Sequence, residues 1–252
     1  MTPPVISRCA AVSLAAVLCA SGAWASAAGP AAKAVSFKTS DGWTISALYH
    51  PPRRGAEVAV LIHGLGSSSN EWGGFSPDLW RLGLGTLAID LRGHGRSLLG
   101  PRGAEGWQDF DATGEWPKAV NDLLAAAAYL RRRGIPSSRV VFIGASVGAN
   151  LASQAAAKLK SSPWTALLSP GEDYHGILPA DLSGRRVLLA ASPPDAYAYG
   201  TCLEMAGRMS GSVFLAARDG HGVQMFKDAR FTAAFLKWIR DVSSPAPRRR
   251  AP

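Results

Sequence analysis

Six short apolar runs recur along this chain, separated by segments with helical patterns, and this alternation restricts the fold more than any other feature. The runs are EVAVLIHG, GTLAID, RVVFI, WTALLSP, RRVLLAAS and GSVFLAA, which begin at positions 57, 85, 139, 164, 185 and 211. Continuous apolar runs of this length are typical of strands buried on both faces of a parallel sheet. Strands that alternate with helices imply right-handed crossovers and helices on both faces of the sheet. The sequence therefore predicts an α/β fold with a mostly parallel sheet.

The segments between these runs supply the helices. Residues 115–134 place apolar side chains at helical spacing and end at Gly134, and helices are also expected within 70–83, 149–160 and 201–211. A last helix carries one apolar stripe, formed by Phe231, Phe235, Trp238, Ile239 and Val242. Before the first apolar run, residues 34–50 read as two strands joined at Asp41-Gly42, which is a strong hairpin signal.

The segment GASVG at 144–148 follows the apolar run RVVFI and precedes a helix-forming segment. Ligands of parallel α/β sheets collect at the carboxyl ends of the strands, so this is where chemistry is expected. A sharp turn from strand to helix strains the residue at its apex, and small neighbours such as Gly144 and Gly148 relieve clashes there. The spacing G-x-S-x-G in this context predicts a nucleophile elbow with Ser146 as the nucleophile.

A serine hydroxyl is a weak nucleophile that needs a base, and the base needs an orienting acid. Asp195 follows the run RRVLLAAS and His221 follows GSVFLAA, so both stand in loops at strand ends. Their order along the chain after Ser146 is the one usual for this motif. The sequence thus predicts Ser146, His221 and Asp195 as a catalytic triad.

Attack by a serine also requires donors for the negative oxygen that forms. The N–H of Val147 follows the nucleophile at the start of a helix. The loop after EVAVLI, which contains His63-Gly64-Leu65-Gly66, should supply the second donor. We therefore predict an oxyanion hole made by the backbone N–H groups of Leu65 and Val147.

With these residues in place, the chain resembles the α/β-hydrolases over nearly its whole length after the N-terminal segment. LIHGLG at 61–66, AIDLRGHGRS at 88–97, GASVG and the Asp195/His221 pair carry the resemblance. It implies an eight-stranded sheet and catalysis through an acyl-enzyme, with no cofactor. The phrase EDYHG at 172–176 resembles small esterases and dienelactone-hydrolase-like members of the family.

Other histidines and aspartates have alternative interpretations. His63 is expected to brace the oxyanion loop and His94 to shape the turn after GTLAID, while His50 is expected at the surface. His175 is a rival to His221 as the base, and Asp173 is a rival to Asp195 as the acid. Asp90 is expected to be structural.

Composition limits the other functional classes. No cluster of His, Cys, Asp and Glu has metal-ligand spacing, and no glycine-rich loop fits a nucleotide phosphate, so neither a metal nor a cofactor is expected. The formal net charge of +9 favours anionic surfaces or substrates. The basic residues are scattered, however, and nucleic-acid binding is not expected.

The N-terminal residues resemble a secretory signal peptide. Arg8 precedes an apolar segment, and two A-x-A sites follow at 23–27. The apolar segment is shorter than the roughly 18 residues of a spanning helix, and Leu18 argues against a lipid anchor at Cys19. We expect a signal peptide at 1–27, a hydrolase domain at 28–243 and a disordered basic tail at 244–252. The protein would then be periplasmic or extracellular, without stable membrane insertion.

Cleavage at this position would leave Cys202 as the one cysteine of the mature chain. A single cysteine forms no internal disulfide, so the domain must be stabilised by packing.

The functional prediction is an exported serine hydrolase that cleaves carboxylic esters. Peptidase, thioesterase and acyltransferase activities use the same triad and stay open, as does a non-catalytic binding protein on a hydrolase scaffold. The connection at 170–185 is too short to fold a helical cap. An open cleft and a preference for short acyl groups are therefore expected.

Overall fold

The computed structural model of the chain describes residues 31–243. The predicted signal peptide at 1–27 and the predicted tail at 244–252 lie outside the described residues. Eight strands form one sheet: β1 (Lys33–Lys38), β2 (Thr44–His50), β3 (Val58–Ile62), β4 (Gly85–Ile89), β5 (Val140–Ala145), β6 (Thr165–Leu168), β7 (Val187–Ala191) and β8 (Ser212–Ala216).

The order of the strands in the sheet is β1-β2-β4-β3-β5-β6-β7-β8. β2 pairs antiparallel with both β1 and β4, and every other pair is parallel. All the residues of β3 to β7 are buried, as their continuous apolar runs predict. The predicted α/β architecture with a mostly parallel sheet of eight strands is therefore confirmed.

Helices cover the sheet on both faces. They are α1 (Ser76–Arg81), α2 (Glu115–Lys118), α3 (Val120–Arg132), α4 (Val147–Lys158), α5 (Ala196–Arg208) and α6 (Ala229–Ser243). Apolar side chains of α3, α4 and α5 belong to one buried cluster. Those of α1 and α6 belong to a second cluster, which includes Phe231, Phe235 and Ile239 of the predicted stripe.

Two helix boundaries differ from the sequence prediction. The segment predicted as one helix from 115 is interrupted at Ala119, so that α2 and α3 are separate. α5 begins at Ala196, five residues before the predicted start at Thr201. Its first turn, AYAYG, has no apolar stripe that would mark it as helical, and the Asp195 N-cap starts the helix directly after the loop that follows β7.

The connections around the carboxyl ends of the strands contain little regular structure. A two-residue hairpin (Leu99–Gly100 with Gly103–Ala104) and a 3₁₀ turn at Trp107–Asp109 follow β4. Between β6 and β7 the described chain has no helix, only an isolated bridge from Tyr174 to Ile177. No described helix is long and apolar enough to cross a membrane.

Candidate active site

Ser146 stands at the turn between β5 and α4, with backbone angles φ 56° and ψ −127°. Few residues other than glycine adopt these angles, so the turn is strained. The glycines beside it are needed for space: a Cβ at Gly148 would lie 2.5 Å from the carbonyl oxygen of His63 and 2.6 Å from that of Ile62. The Ser146 N–H donates to the Leu168 carbonyl at 2.8 Å, which holds the turn against β6. The geometry is that of the predicted elbow.

His221 and Asp195 meet at the same edge of the sheet. The Nδ1 atom of His221 lies 2.7 Å from Oδ2 of Asp195. Because an ionised carboxylate only accepts, Nδ1 carries the proton and Nε2 is the ring nitrogen free to take one. The backbone of Gly222, the next residue, packs against the elbow, since a Cβ there would lie 3.1 Å from the Ala145 Cβ and 4.0 Å from the Ser146 nitrogen. The structure thus bonds His221 to Asp195 and places the residue after His221 against the turn that carries Ser146.

The loop after β3 lies against Ser146 from the other side. A Cβ at Gly64 would lie 3.3 Å from the Ser146 Cβ. Val147 opens α4, where the backbone N–H groups have no partner within the helix. Leu65 follows Gly64 in this loop, and its side chain is 39% exposed. The residues of both predicted oxyanion donors are therefore chain neighbours of residues at the serine turn, and their role stays a prediction.

His63 fixes the peptide that contains the Leu65 N–H. Its Nε2 accepts from Leu91 N at 3.0 Å, so its Nδ1–H donates to the Gly64 carbonyl, at 2.6 Å. The Gly64 carbonyl and the Leu65 N–H belong to one planar peptide group, so holding the first orients the second. Burial, with a smaller effect of His94, lowers the pKa of His63 to about 4 and keeps the ring neutral.

Glu71 supports the same loop and was not identified from the sequence. Its Oε1 accepts from Gly64 N at 3.4 Å. Burial raises the pKa of Glu71. No pattern in the sequence marks Glu71, because it precedes α1 in an irregular 3₁₀ turn (Ser69–Gly74).

The rival residues have other partners. Asp173 accepts from Gly176 N at 2.7 Å within its own turn, and His175 stacks on Trp116. Asp90 accepts from the backbone N–H groups of Ser69 and Arg96, at 2.7 and 3.0 Å. These contacts support loops, and Asp195 is the carboxylate that bonds His221.

The remaining histidines also have structural contacts. His94 bonds the Arg92 carbonyl through Nδ1 at 2.9 Å and stacks on Trp107. His50 is only partly exposed, rather than fully at the surface, and its Nδ1 lies 3.4 Å from the Thr86 hydroxyl.

A shallow cavity of about 440 Å³ adjoins the oxyanion loop. Its lining includes Gly66 of the loop after β3, and His94, Leu98 and Trp107 of the segment that follows β4. No cluster of three or more metal-binding side chains occurs within residues 31–243.

Tyr174 is a second residue that sequence analysis did not assign to the site. Its hydroxyl donates to the Ser169 carbonyl at 3.4 Å, directly after β6. Burial raises the pKa of Tyr174 to about 12. The position of EDYHG directly after an apolar run was the available signal, because strand ends of this sheet collect at the site.

Comparison with solved structures gives matches over most of the chain. An esterase from Pyrococcus furiosus is 16% identical with a TM-score of 0.63, covering 84% of this chain and 93% of its own. A serine hydrolase without a lid from Xanthomonas campestris is 18% identical with a TM-score of 0.62, covering 86% and 97%. A dienelactone hydrolase from Anabaena variabilis is 19% identical with a TM-score of 0.59, covering 84% and 96%. At these identities the likeness is one of fold.

No curated protein sequence matches this chain significantly. The sequence profile of the alpha/beta hydrolase family, in contrast, matches residues 59–252, which include β4 to β8, all of β3 except Val58, and every residue of the predicted triad. With the strand order and the strained serine turn described above, this chain belongs to the alpha/beta hydrolase family.

Proposed function

We propose that this protein is a serine hydrolase that cleaves carboxylic esters. The observation that carries the proposal is the 2.7 Å bond between His221 and Asp195 beside the strained turn of Ser146. A nucleophile on a positive-φ turn, with an oriented base next to it, is the arrangement that acyl transfer requires. The fold shared with esterases is consistent with this reaction.

In the proposed reaction, the Ser146 oxygen attacks the ester carbonyl while His221 Nε2 takes the serine proton. The N–H groups of Leu65 and Val147 stabilise the negative oxygen. His221 then returns the proton to the alcohol oxygen as the carbon–oxygen bond breaks. Water attacks the acyl-enzyme with the same base, and the acid leaves as Ser146 regains its proton. Asp195 holds the ring in place and stabilises its charged form.

The test is covalent labelling with a fluorophosphonate, a probe that reacts with activated serines. We expect stoichiometric labelling at Ser146 in the wild type and none in Ser146→Ala. His221→Ala and Asp195→Asn should label at least 100-fold more slowly, because the members of a triad act as a unit. Asp173→Asn is the matched control, since its amide oxygen can still accept from Gly176 N. Absence of labelling in the wild type would favour a binding protein on a hydrolase scaffold.

Labelling does not separate the acyl-transfer reactions that share this triad. A panel of esters, thioesters and peptides, offered to the purified protein, distinguishes an esterase from a thioesterase or a peptidase. Addition of an alcohol acceptor tests for acyl transfer. Faster turnover of esters than of thioesters and peptides supports the proposal. Faster cleavage of a peptide or a thioester would instead indicate a peptidase or a thioesterase.

We further propose that the protein is exported and that its substrates carry short acyl groups. The first part rests on residues 1–27 and is tested by N-terminal sequencing of the secreted protein, where an intact Met1 on cytosolic protein would contradict it. The second part rests on the connection between β6 and β7, which contains no helix that could form a cap over the site.

A further inference from the structure

The proposed base, His221, stands in a loop that does not fix the base by its own sequence. Glycine flanks it on both sides, and Gly220 and Gly222 have φ angles of 96° and 56°, in the region that favours glycine. The side chain of His221 is 41% exposed, so packing restrains it less than it restrains a buried ring, and Asp195 holds it through Nδ1. The position of the base therefore depends on how its backbone is held.

Two serines hold the peptide groups on either side of this histidine. The hydroxyl of Ser192 donates to the Gly220 carbonyl at 2.6 Å. The hydroxyl of Ser169 accepts from Gly222 N at 3.0 Å. Both serines are fully buried, so neither bond competes with bulk water. Because each peptide group is planar, these bonds orient the two groups that meet at the His221 Cα and thereby set the direction of its side chain.

The two serines come from the ends of neighbouring strands. Ser169 directly follows β6, and its N–H donates to a carbonyl of β7 at 2.7 Å. Ser192 directly follows β7, and its carbonyl accepts from Asp195 N at 3.0 Å. Leu168, the last residue of β6, accepts from Ser146 N at 2.8 Å. The proposed nucleophile, acid and base are thus all connected to the same pair of strand ends.

The backbone of Ser169 supports a role for its hydroxyl. Its φ of 51° lies in the left-handed region, where glycine is the more stable residue. A serine in this conformation persists when a contact of its side chain offsets the strain. The bond from Gly222 N is such a contact, because a buried N–H that loses its acceptor destabilises the fold.

We propose that Ser169 and Ser192 are positioning residues, which hold His221 where its Nε2 reaches the hydroxyl of Ser146. The inference rests on the proposed function and assigns no proton transfer to either of the two serines. A base must stay within hydrogen-bond reach of its nucleophile, and a displacement of about 1 Å can slow a reaction about 100-fold. Loss of either hydroxyl releases one of the two peptide groups beside the base and permits such a displacement.

The first experiment removes each hydroxyl from the full-length protein, in Ser169→Ala and Ser192→Ala. We expect each substitution to lower the fluorophosphonate labelling rate and the kcat of ester cleavage about tenfold. The KM should stay unchanged, because the same base serves both formation and hydrolysis of the acyl-enzyme, and both steps slow together.

Ser153→Ala is the matched control. Ser153 is also fully buried, and its hydroxyl donates to the Asn150 carbonyl at 2.6 Å and accepts from Ala180 N at 2.8 Å. Neither partner belongs to the loop that carries the base. Its Tm should fall at least as much as in the other two variants, while its labelling rate stays within twofold of the wild type. Equal losses of labelling in all three variants, or wild-type rates in Ser169→Ala and Ser192→Ala, would overturn the proposal.

The His221→Ala background separates positioning of the base from a general effect on the fold. If the two serines act through the base, Ser169→Ala and Ser192→Ala should leave the residual labelling rate of His221→Ala unchanged. A further tenfold loss in this background would show that the serines act on something other than the base.

A spectroscopic measurement tests the same positions without any reaction. The proton between His221 Nδ1 and Asp195 should give a resolved downfield NMR signal in the wild type. The signal should broaden by exchange with water in Ser169→Ala and Ser192→Ala, and an unchanged signal would contradict the proposal. If wild-type Ser146 is not labelled while the signal responds in this way, the proposed function fails and the positioning of His221 stands.

Discussion

Gly148 lies where the elbow touches the loop after β3, and a side chain there has no space. A Cβ would lie 2.5 Å from a backbone oxygen, which cannot move without displacing β3. We expect Gly148→Ala to lower the free energy of unfolding by roughly 1–3 kcal/mol. The labelling rate at Ser146 should fall at least tenfold, since the same shift disturbs the oxyanion loop. Urea unfolding and fluorophosphonate kinetics measure the two effects.

Gly207 is the matched control for this substitution. It lies in α5, with no atom within 4 Å of a Cβ placed there. Alanine is the better helix former by about 1 kcal/mol, so Gly207→Ala should be as stable as the wild type or more so. Equal destabilisation in both variants would show that the close approach at Gly148 is not the cause.

His63 gives stability a dependence on pH whose sign can be derived. Its pKa is lowered from 6.5 to about 4, chiefly by burial. The His63 ring therefore binds a proton below about pH 6.5 in the unfolded chain, but only below about pH 4 in the folded chain. Stability is complete above pH 6.5 and is lost as pH falls from about 6.5 to about 4, by about 3 kcal/mol. Burial also lowers the pKa of His94, which adds to the loss in the same direction.

Urea unfolding at pH values from 7.5 to 4 measures the net change in stability. Burial raises the pKa of Asp122 to about 6, which contributes in this window with the opposite sign, so the NMR shift of the His63 ring protons is needed to isolate the His63 part. Asp41 is outside this window, because hydrogen bonds led by that from Arg92 outweigh the effect of its burial and lower its pKa to about 2. A His63 ring that titrates near pH 6.5 would contradict the prediction.

The connection between β6 and β7 depends on α4 through one side chain. Asn150→Ala removes three hydrogen bonds to the backbone of this connection, at about 1 kcal/mol each, and should destabilise the protein by about 3 kcal/mol. Amide hydrogen exchange should increase at 171–177 more than elsewhere.

Substitution of Gln154 tests whether the loss of any contact between α4 and this connection destabilises the protein as Asn150→Ala should. It lies one turn further along α4 and donates to the Leu178 carbonyl at 2.9 Å from an exposed position. Gln154→Ala should change stability by less than 1 kcal/mol and leave exchange at 171–177 unaltered. If amide exchange at 171–177 increases equally in Asn150→Ala and Gln154→Ala, the loss of any contact from α4 would explain the increase.

The absence of a helix from the same connection has a consequence for substrates. An open cleft buries little of a long acyl chain, and each buried methylene contributes roughly 0.8 kcal/mol. Short acyl esters should therefore be cleaved at least as well as long ones, without activation at a lipid interface. Measurement of kcat/KM for p-nitrophenyl acetate, butyrate, octanoate and palmitate tests this. A steep rise toward palmitate would show that another segment closes over the serine.

Candidate site residues at strand ends could be predicted from the sequence. Residues inside helices that support the site through hydrogen bonds could not. Ser146 forms a local motif with Gly144 and Gly148. Asp195 and His221 each follow an apolar run that predicts a buried strand. Asn150 reads as an ordinary polar residue in a helix, because its partners are 21 and 27 positions away. Helix boundaries such as Ala119 and Ala196 depend on packing that has no short-range pattern.

The sheet separates two buried clusters, and each of the strands β3 to β7 contributes buried side chains to both. In β3, Val60 and Ile62 belong to the cluster under α3 and α4, whereas Ala59 and Leu61 belong to the cluster under α1. Successive side chains of β3 therefore alternate between the two clusters, although both faces of this strand are apolar. Cys202 lies buried in the first cluster, where burial raises its pKa to about 12. Packing, not a disulfide, holds the described domain together.

The backbone conformation of Ser146 lowers the stability of the fold, although it suits the proposed chemistry. A residue with φ 56° and ψ −127° costs of order 1–3 kcal/mol, and glycine would relieve most of that cost. Selection for thermal stability alone would therefore favour glycine at this position, and the chain would lose the proposed nucleophile. A serine retained here is what selection for the proposed reaction would produce.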